Sequence, residues 1–161
     1  MTRAQAVKQQ LAPRSEQDKD GLWWLLQEMS TLSRRMADRQ LATAGTSIDQ
    51  VQALRSLAAS QCLTIGELAR AMGLERNSAS QVAERLVQRQ LVMRVRSTQD
   101  RRQVLLTLTE EGRDLLARAQ QLTVGLASAL LVDALPGELA AATEALSELR
   151  GRAADLLATT A

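Results

Sequence analysis

A Thr-x-x-Glu box, followed by a short amphipathic run and a glycine, constrains this chain more than any other feature. Thr64-Ile65-Gly66-Glu67 has the form of a capping box, in which two side chains each satisfy a backbone N–H at a helix start. Ile65, Leu68, Ala69 and Met72 then recur at helical spacing, and Gly73 can take the left-handed conformation that ends such a helix. A second helix is predicted from about Glu75 to Arg89, with Ala79, Val82, Ala83 and Leu86 as its buried stripe. Two helices joined by so tight a turn hold the second at a fixed angle and project it from the surface. A helix presented in that way fits a DNA major groove.

With the stripe turned inward, Asn77, Gln81 and Gln88 point most directly outward, and Ser78 and Arg85 lie on the shoulder. Side chains of these types offer paired donors and acceptors to base edges. A plain solvated helix face has much the same composition, so position matters more. Asn77 and Ser78 sit at the helix N-terminus, where free N–H groups also favour a phosphate. Leu91 to Arg96 then alternates apolar and polar, which predicts a half-buried strand with Leu91, Met93 and Val95 on one face and Val92, Arg94 and Arg96 on the other. Val104 to Leu108 reads as its partner, and the polar connection 97–103 makes a hairpin with a basic tip, a wing. Asp100 and Arg102 are spaced so that the carboxylate could hold the guanidinium extended toward a narrow, electronegative minor groove. A surface ion pair worth roughly 0–1 kcal/mol is the plainer reading of the same two residues.

Charge is segregated onto these elements. Between residues 76 and 102, Arg76, Arg85, Arg89, Arg94, Arg96, Arg101 and Arg102 face only Glu84 and Asp100, a net of +5 in a chain whose whole carries +2, which leaves −3 elsewhere. Clustered positive charge on the proposed contact elements is the footprint of nucleic-acid binding. The candidate DNA-binding residues are Arg76, Asn77, Ser78, Gln81, Arg85, Arg94, Asp100, Arg101 and Arg102.

The sequence here resembles the MarR family of bacterial winged helix-turn-helix regulators. The matching stretches are ELARAMGLERNSASQVAERLVQRQLV at 67–92, the D-R-R wing at 100–102, and VLLTLTEEGR at 104–113 leading into a long helix. The resemblance covers about residues 48–118. It implies a homodimer whose N- and C-terminal helices interlock, with recognition helices in consecutive major grooves and wing arginines in the flanking minor grooves. Arg102 would then be the minor-groove residue, and Asp100 its orienting partner. The chain departs from the pattern at Glu75, where the family often has a small hydroxyl residue. A carboxylate can cap a helix, yet it places negative charge close to DNA. Family members often release DNA when a small aromatic or phenolic ligand enters a cleft between the dimer helices and the winged domain. Trp23 and Trp24 are the candidate ligand-binding residues, although at the end of a dimer helix they serve equally as interface anchors.

Outside the winged region, Leu22, Leu25, Met29, Leu32 and Met36 predict a helix over about Asp20 to Leu41, which Trp23, Trp24 and Leu26 make apolar on every side at its N-terminal end. Ile48, Val51, Leu54 and Leu57 predict another, ahead of a short connection that contains Cys62. A long helix follows Thr109, with Leu115, Leu116, Ala119, Leu122 and Leu126 inward, and ends near Asp133. Pro136 opens the last helix, where Leu139, Ala142, Leu146, Leu149, Ala153 and Leu156 form a coiled-coil seam. A small winged domain has too little surface to cover both terminal helices, so a second copy is the simplest cover, giving a two-fold homodimer. The expected fold is mainly α, a winged helix-turn-helix with additional N- and C-terminal dimerisation helices. It divides into a flexible extension (1–19), an N-terminal dimerisation helix (20–45), the winged DNA-binding region (46–108) and C-terminal dimerisation helices (109–161), within one compact domain.

Composition removes other classes. There is no histidine, hence no His-assisted nucleophile and no imidazole metal ligand. The lone Cys62 makes neither a zinc cluster nor an internal disulfide and reads as a structural thiol. The glycines are scattered, forming no phosphate loop, and Glu110-Glu111 sit in a first helical turn where they offset its dipole. No catalytic residue, metal or cofactor is called for, and no apolar run reaches the ~20 residues of a membrane span. The sequence therefore points to a cytoplasmic, dimeric regulator binding a pseudo-palindromic operator in double-stranded DNA, a repressor released by a small aromatic effector. The alternative is a protein–protein interaction module that keeps the winged fold without binding DNA.

Overall fold

The computed structural model describes residues 16–97, 100 and 102–160. Its elements run α1 (Glu16–Ala42), α2 (Ile48–Ser60), β1 (Cys62–Leu63), α3 (Ile65–Met72), α4 (Arg76–Gln88), β2 (Val92–Arg96), β3 (Val104–Leu108), α5 (Glu110–Leu130) and α6 (Pro136–Thr160). The first helix begins at Glu16, so residues 16–19 are helical and do not belong to a flexible extension. Asp18 and Asp20 lie in its first turns, where carboxylates offset the helix dipole. The chain divides into two compact units, residues 1–126 and 127–161, where one had been expected. None of the α6 residues whose burial is described is buried. Among the described residues no helix is long and apolar enough to cross a membrane.

The first unit is organised around one apolar core. Leu41 from α1, Leu54 and Leu57 from α2, Leu68 from α3, Leu86 from α4, Val92 from β2 and Leu106 from β3 are the largest fully buried side chains. Leu115, Leu116 and Ala119 of α5 close the same cluster, as their spacing predicted, with Leu122 and Leu126 half-buried against it. Burying each Leu is worth about 1.5–3 kcal/mol. Only the C-terminal end of α1 takes part, through Ala37 and Leu41. Leu22, Leu25, Met29, Leu32 and Met36 are exposed, as are Trp23 at 58% and Trp24 at 63%.

The sheet has three antiparallel strands in the order β1-β3-β2, one more than the hairpin expected from sequence. β1 is only two residues long and pairs Cys62 with Thr107 and Leu63 with Leu106. Its thiol is exposed, which places Cys62 at the surface rather than in the core. In the wing, Val92 pairs with Leu108, Arg94 with Leu106 and Arg96 with Val104. Directly paired residues share a face, so the inward face of β2 carries Val92, Arg94 and Arg96. That reverses the expected phase: Val92 is buried, whereas Met93 at 47% and Val95 at 37% are exposed. The reversal originates at the strand's start, where Gln90 takes φ +58° and turns the chain before Leu91. Leu91 is buried, but it precedes the strand and follows no strand alternation.

One junction ties recognition helix, wing and α5 together. The Thr109 N–H donates to the Leu91 carbonyl at 3.2 Å. The Thr109 hydroxyl donates to the Gln90 carbonyl at 2.8 Å and accepts the Gly112 N–H at 3.1 Å. Helix α5 comes so close to the Leu91 backbone that a Cβ on Gly112 would lie 2.1 Å from that carbonyl oxygen. Glycine is therefore required in the first turn of α5, a steric need that the T-x-x-G spacing encodes. Gly112→Ala is expected to destabilise the chain by about 1–3 kcal/mol or more in denaturant unfolding, because backbone must give way. Gly66→Ala, with nothing within 4 Å of the added carbon, is expected to be neutral or to stabilise by up to about 1 kcal/mol.

Candidate nucleic-acid interface

The recognition unit is built as its local chemistry dictates. The Thr64 hydroxyl accepts the Glu67 N–H at 3.3 Å, and the Glu67 carboxylate accepts the Thr64 N–H at 2.8 Å, completing the capping box. At the other end Gly73 adopts φ +64°, and the N–H groups of Gly73 and Leu74 close on the carbonyls of Arg70 and Ala69. Two residues later α4 begins. Glu75 is its extended N-cap and makes no side-chain capping bond. Glutamate has one methylene more than the aspartate that usually fills this role, and here its carboxylate does not return to the backbone. The expected helix start at Glu75 thus moves to Arg76, and the first N–H groups of α4 are left open.

Burial of Ala79, Ala83 and Leu86 sets the rotation of α4. Arg76, Asn77, Ser78, Gln81, Arg85 and Gln88 are all exposed, while Val82 is half-buried at the edge of the stripe. Asn77, Gln81, Arg85 and Gln88 follow one another at helical spacing along the outward side. The candidates on this helix are therefore brought onto one accessible surface.

The wing is arranged differently from the sequence expectation. The Asp100 carboxylate accepts the backbone N–H of Arg102 at 3.0 Å, and no ion pair joins it to the Arg102 guanidinium. Asp100 shapes the turn instead of aiming the arginine: its own N–H is held by the Ser97 hydroxyl at 3.2 Å, and its carbonyl accepts the Gln103 N–H at 2.9 Å. A short carboxylate two residues before an N–H closes that local ring more readily than it reaches a long side chain. The Arg102 guanidinium is left exposed, with no partner among the described residues. Arg101 lies outside the described residues.

Two of the clustered arginines are engaged within the chain. Arg94 meets Glu84 of α4 at 2.5 Å, a strut between recognition helix and wing. Arg89, at the end of α4, donates to Gln50 of α2 at 2.9 Å and so faces away from the outward surface. Arg96 was not among the candidates, yet it lies two residues beyond Arg94 on the same face of β2, exposed and unpaired among the described residues. Its parity with Arg94 is the signal that the sequence carries, and it holds whichever face of the strand is inward. Among the described arginines between residues 76 and 102, Arg76, Arg85, Arg96 and Arg102 are therefore the exposed ones whose guanidinium groups are free.

Trp23 and Trp24 stand exposed on α1. A cavity of about 540 Å³ opens elsewhere, lined by Leu57, Ala58, Gln61, Thr107, Leu108 and Arg113. Among the described residues no group of acidic, Cys or His side chains is placed to hold a metal ion.

Residues 47–104 match the MarR family. A cysteine-to-serine variant of MarR from E. coli, complexed with operator DNA, superposes with a TM-score of 0.74 at 23% identity, covering 80% of this chain and 93% of that one. A MarR family transcriptional regulator from Silicibacter pomeroyi gives 0.73 at 27% identity, over 87% of this chain and 96% of that one. BpsR from Bordetella bronchiseptica, described for the regulation of its DNA binding by 6-hydroxynicotinic acid, gives 0.73 at 21% identity, over 86% and 98%. The comparison with curated proteins finds no match.

The capping box generates a test of the scaffold beneath the interface. Thr64→Ala is expected to cost about 1 kcal/mol of unfolding free energy at neutral pH. The Glu67 carboxyl is held below its ordinary range, first by the Thr64 backbone N–H and then by the Thr64 hydroxyl. A depressed carboxylate contributes stability that is fully present above its unfolded-state value and lost as pH falls through the folded-state value. The stability gap between the natural chain and Glu67→Gln should therefore narrow across the acid range. A gap that widened on acidification would contradict the assignment.

Proposed function

We infer that this chain, which carries a MarR-family winged helix-turn-helix over residues 47–104, is a sequence-specific double-stranded DNA-binding transcriptional regulator and not an enzyme. The observation that carries the reading is the set of free guanidinium groups of Arg76, Arg85, Arg96 and Arg102, displayed on α4 and the wing beside Asn77 and Gln81. In this reading α4 enters the major groove, where Asn77 and Gln81 meet base edges and Arg85 lies within reach of either a base or a phosphate. Arg76, Ser78 and the open N–H groups at the start of α4 take a backbone phosphate. Arg102 enters the adjacent minor groove from the wing tip, with Asp100 holding the turn beneath it. Arg94 holds the wing to α4 through Glu84, and on binding DNA it exchanges that carboxylate for a phosphate.

Function as a homodimer on a pseudo-palindromic operator is supported by the uncovered apolar surfaces. Leu22, Leu25, Met29 and both tryptophans on α1, and separately Leu146, Leu149 and Leu156 on α6, are exposed in the single chain. A second copy would bury them and place two reading heads on consecutive major grooves of one face of the duplex. Trp23 and Trp24 serve that contact as large anchors. Such a dimer represses by occupying DNA that polymerase needs, in the compartment that holds the DNA. Release by a small aromatic effector is the corresponding control, and it draws on what is described for BpsR.

Three measurements test the reading on operator selected from random duplexes. Binding should weaken steeply with salt, by a log–log slope of about −0.9 for each phosphate neutralised. Arg102→Ala should weaken every site to a similar degree and flatten that slope. Gln81→Ala should relax preference at particular base positions, by about 1–3 kcal/mol of discrimination. Unchanged operator affinity in both variants would remove these residues from the interface, and failure of the natural chain to select any duplex would overturn the function.

A further inference from the structure

The recognition helix reads DNA only if its angle to the rest of the molecule is fixed, and the first turn of α2 is where three elements meet. From α1, the Asp38 carboxylate accepts the Ile48 N–H at 2.8 Å, and Arg34 meets Asp49 at 2.6 Å. From the α1–α2 corner, the Thr46 hydroxyl donates to Gln50 Oε1 at 3.0 Å. From the far end of the recognition helix, Arg89 donates to the same oxygen at 2.9 Å. Thr46 is a polar residue at only 8% exposure, so the corner is closed on its inner side. Arg89 is the C-cap of α4, where a cation complements the helix dipole. Its second terminal nitrogen lies 4.0 Å from where a Cβ on Gly45 would stand, and Gly45 itself takes φ +66°. Backbone and side chain at the corner thus accommodate this one arginine.

Gln50 is the joint of this arrangement. An amide oxygen has two acceptor positions, and both are occupied, one by the α1–α2 corner and one by the recognition helix. We propose that Gln50 is a positioning residue for DNA recognition: through Arg89 it locks α4 to the α1–α2 corner, and so sets the separation of the two reading heads without touching DNA. This rests on the dimeric DNA-binding reading given above. A carboxylate at residue 50 keeps both acceptor positions and adds charge attraction to Arg89. Leucine fills a similar volume and keeps neither.

The test uses the full chain, the selected operator, and duplexes in which the half-sites are moved one base pair closer or further apart. The natural chain should discriminate sharply among these spacings. Gln50→Leu should bind the operator roughly three- to tenfold more weakly, and its discrimination between spacings should largely collapse. Its salt slope should be unchanged, because no phosphate contact is lost. Gln50→Glu should restore both affinity and spacing preference. Arg89→Met removes the same bond from the other side and should reproduce the Gln50→Leu phenotype, which keeps the test decisive if Gln50→Leu folds poorly. Variants that melt earlier yet keep full spacing discrimination would show Gln50 to be merely structural and overturn the proposal. A natural chain that binds no duplex would overturn the functional reading, and the proposal with it.

Discussion

Everything at the candidate interface depends on the burial of one narrow stripe, Ala79, Ala83 and Leu86, on the inner side of α4. A helix advances about 100° per residue, so fixing three side chains against the core fixes where all the others point. Two of the three are alanine, which lets the α4 backbone approach its neighbours closely, while Leu86 supplies most of the buried area. Asn77, Gln81, Arg85 and Gln88 are outward because these three are inward. Truncating Leu86 would cost about 2–5 kcal/mol and would release the rotation of the helix along with its stability.

The clustered arginines divide by role. Of the seven between residues 76 and 102, Arg94 and Arg89 are spent on holding α4 to the wing and to α2. An exposed pair such as Arg94–Glu84 is worth about 0–1 kcal/mol, so exchanging its carboxylate for a phosphate costs little. The same pair leaves Glu84 neutralised on a helix that must approach a polyanion. Glu75 is the other carboxylate near that surface. It neither caps α4 nor pairs with a cation among the described residues, so the helix start presents open N–H groups together with one opposing charge. Net charge alone would not have separated these roles, because it counts a strut and a free cation alike.

Most of the fold was legible from local signals. The capping box, the Gly73 turn, the stripes of α2, α4 and α5, and the opening of α6 at Pro136 are each written within a few residues, and each formed where the sequence placed it. What was not legible is set by partners distant in the chain. Both parities of the Leu91–Arg96 segment contain apolar residues, so alternation could not choose the inner face; the register with β3 and the turn at Gln90 chose Val92. β1 exists only because Leu106 and Thr107 of β3 offer it an edge. Asp100 and Arg102 carry opposite charges at close spacing, but the competing backbone N–H is nearer than the guanidinium. Arg89 reads as one more cation until Gln50, thirty-nine positions away, is seen to hold it. Arg96 shares a face with Arg94 in either phase of the strand, so the alternation already pointed to it as a companion cation.

Hydroxyl-radical footprinting of the full chain on its selected operator tests the central claim most directly, since backbone protection reports where each reading head sits. The account predicts two protected clusters related by a two-fold axis, with centres about 10 base pairs apart on one face of the duplex, and additional minor-groove protection on their outer flanks. A single cluster, or weak protection spread evenly along the duplex regardless of sequence, would contradict it.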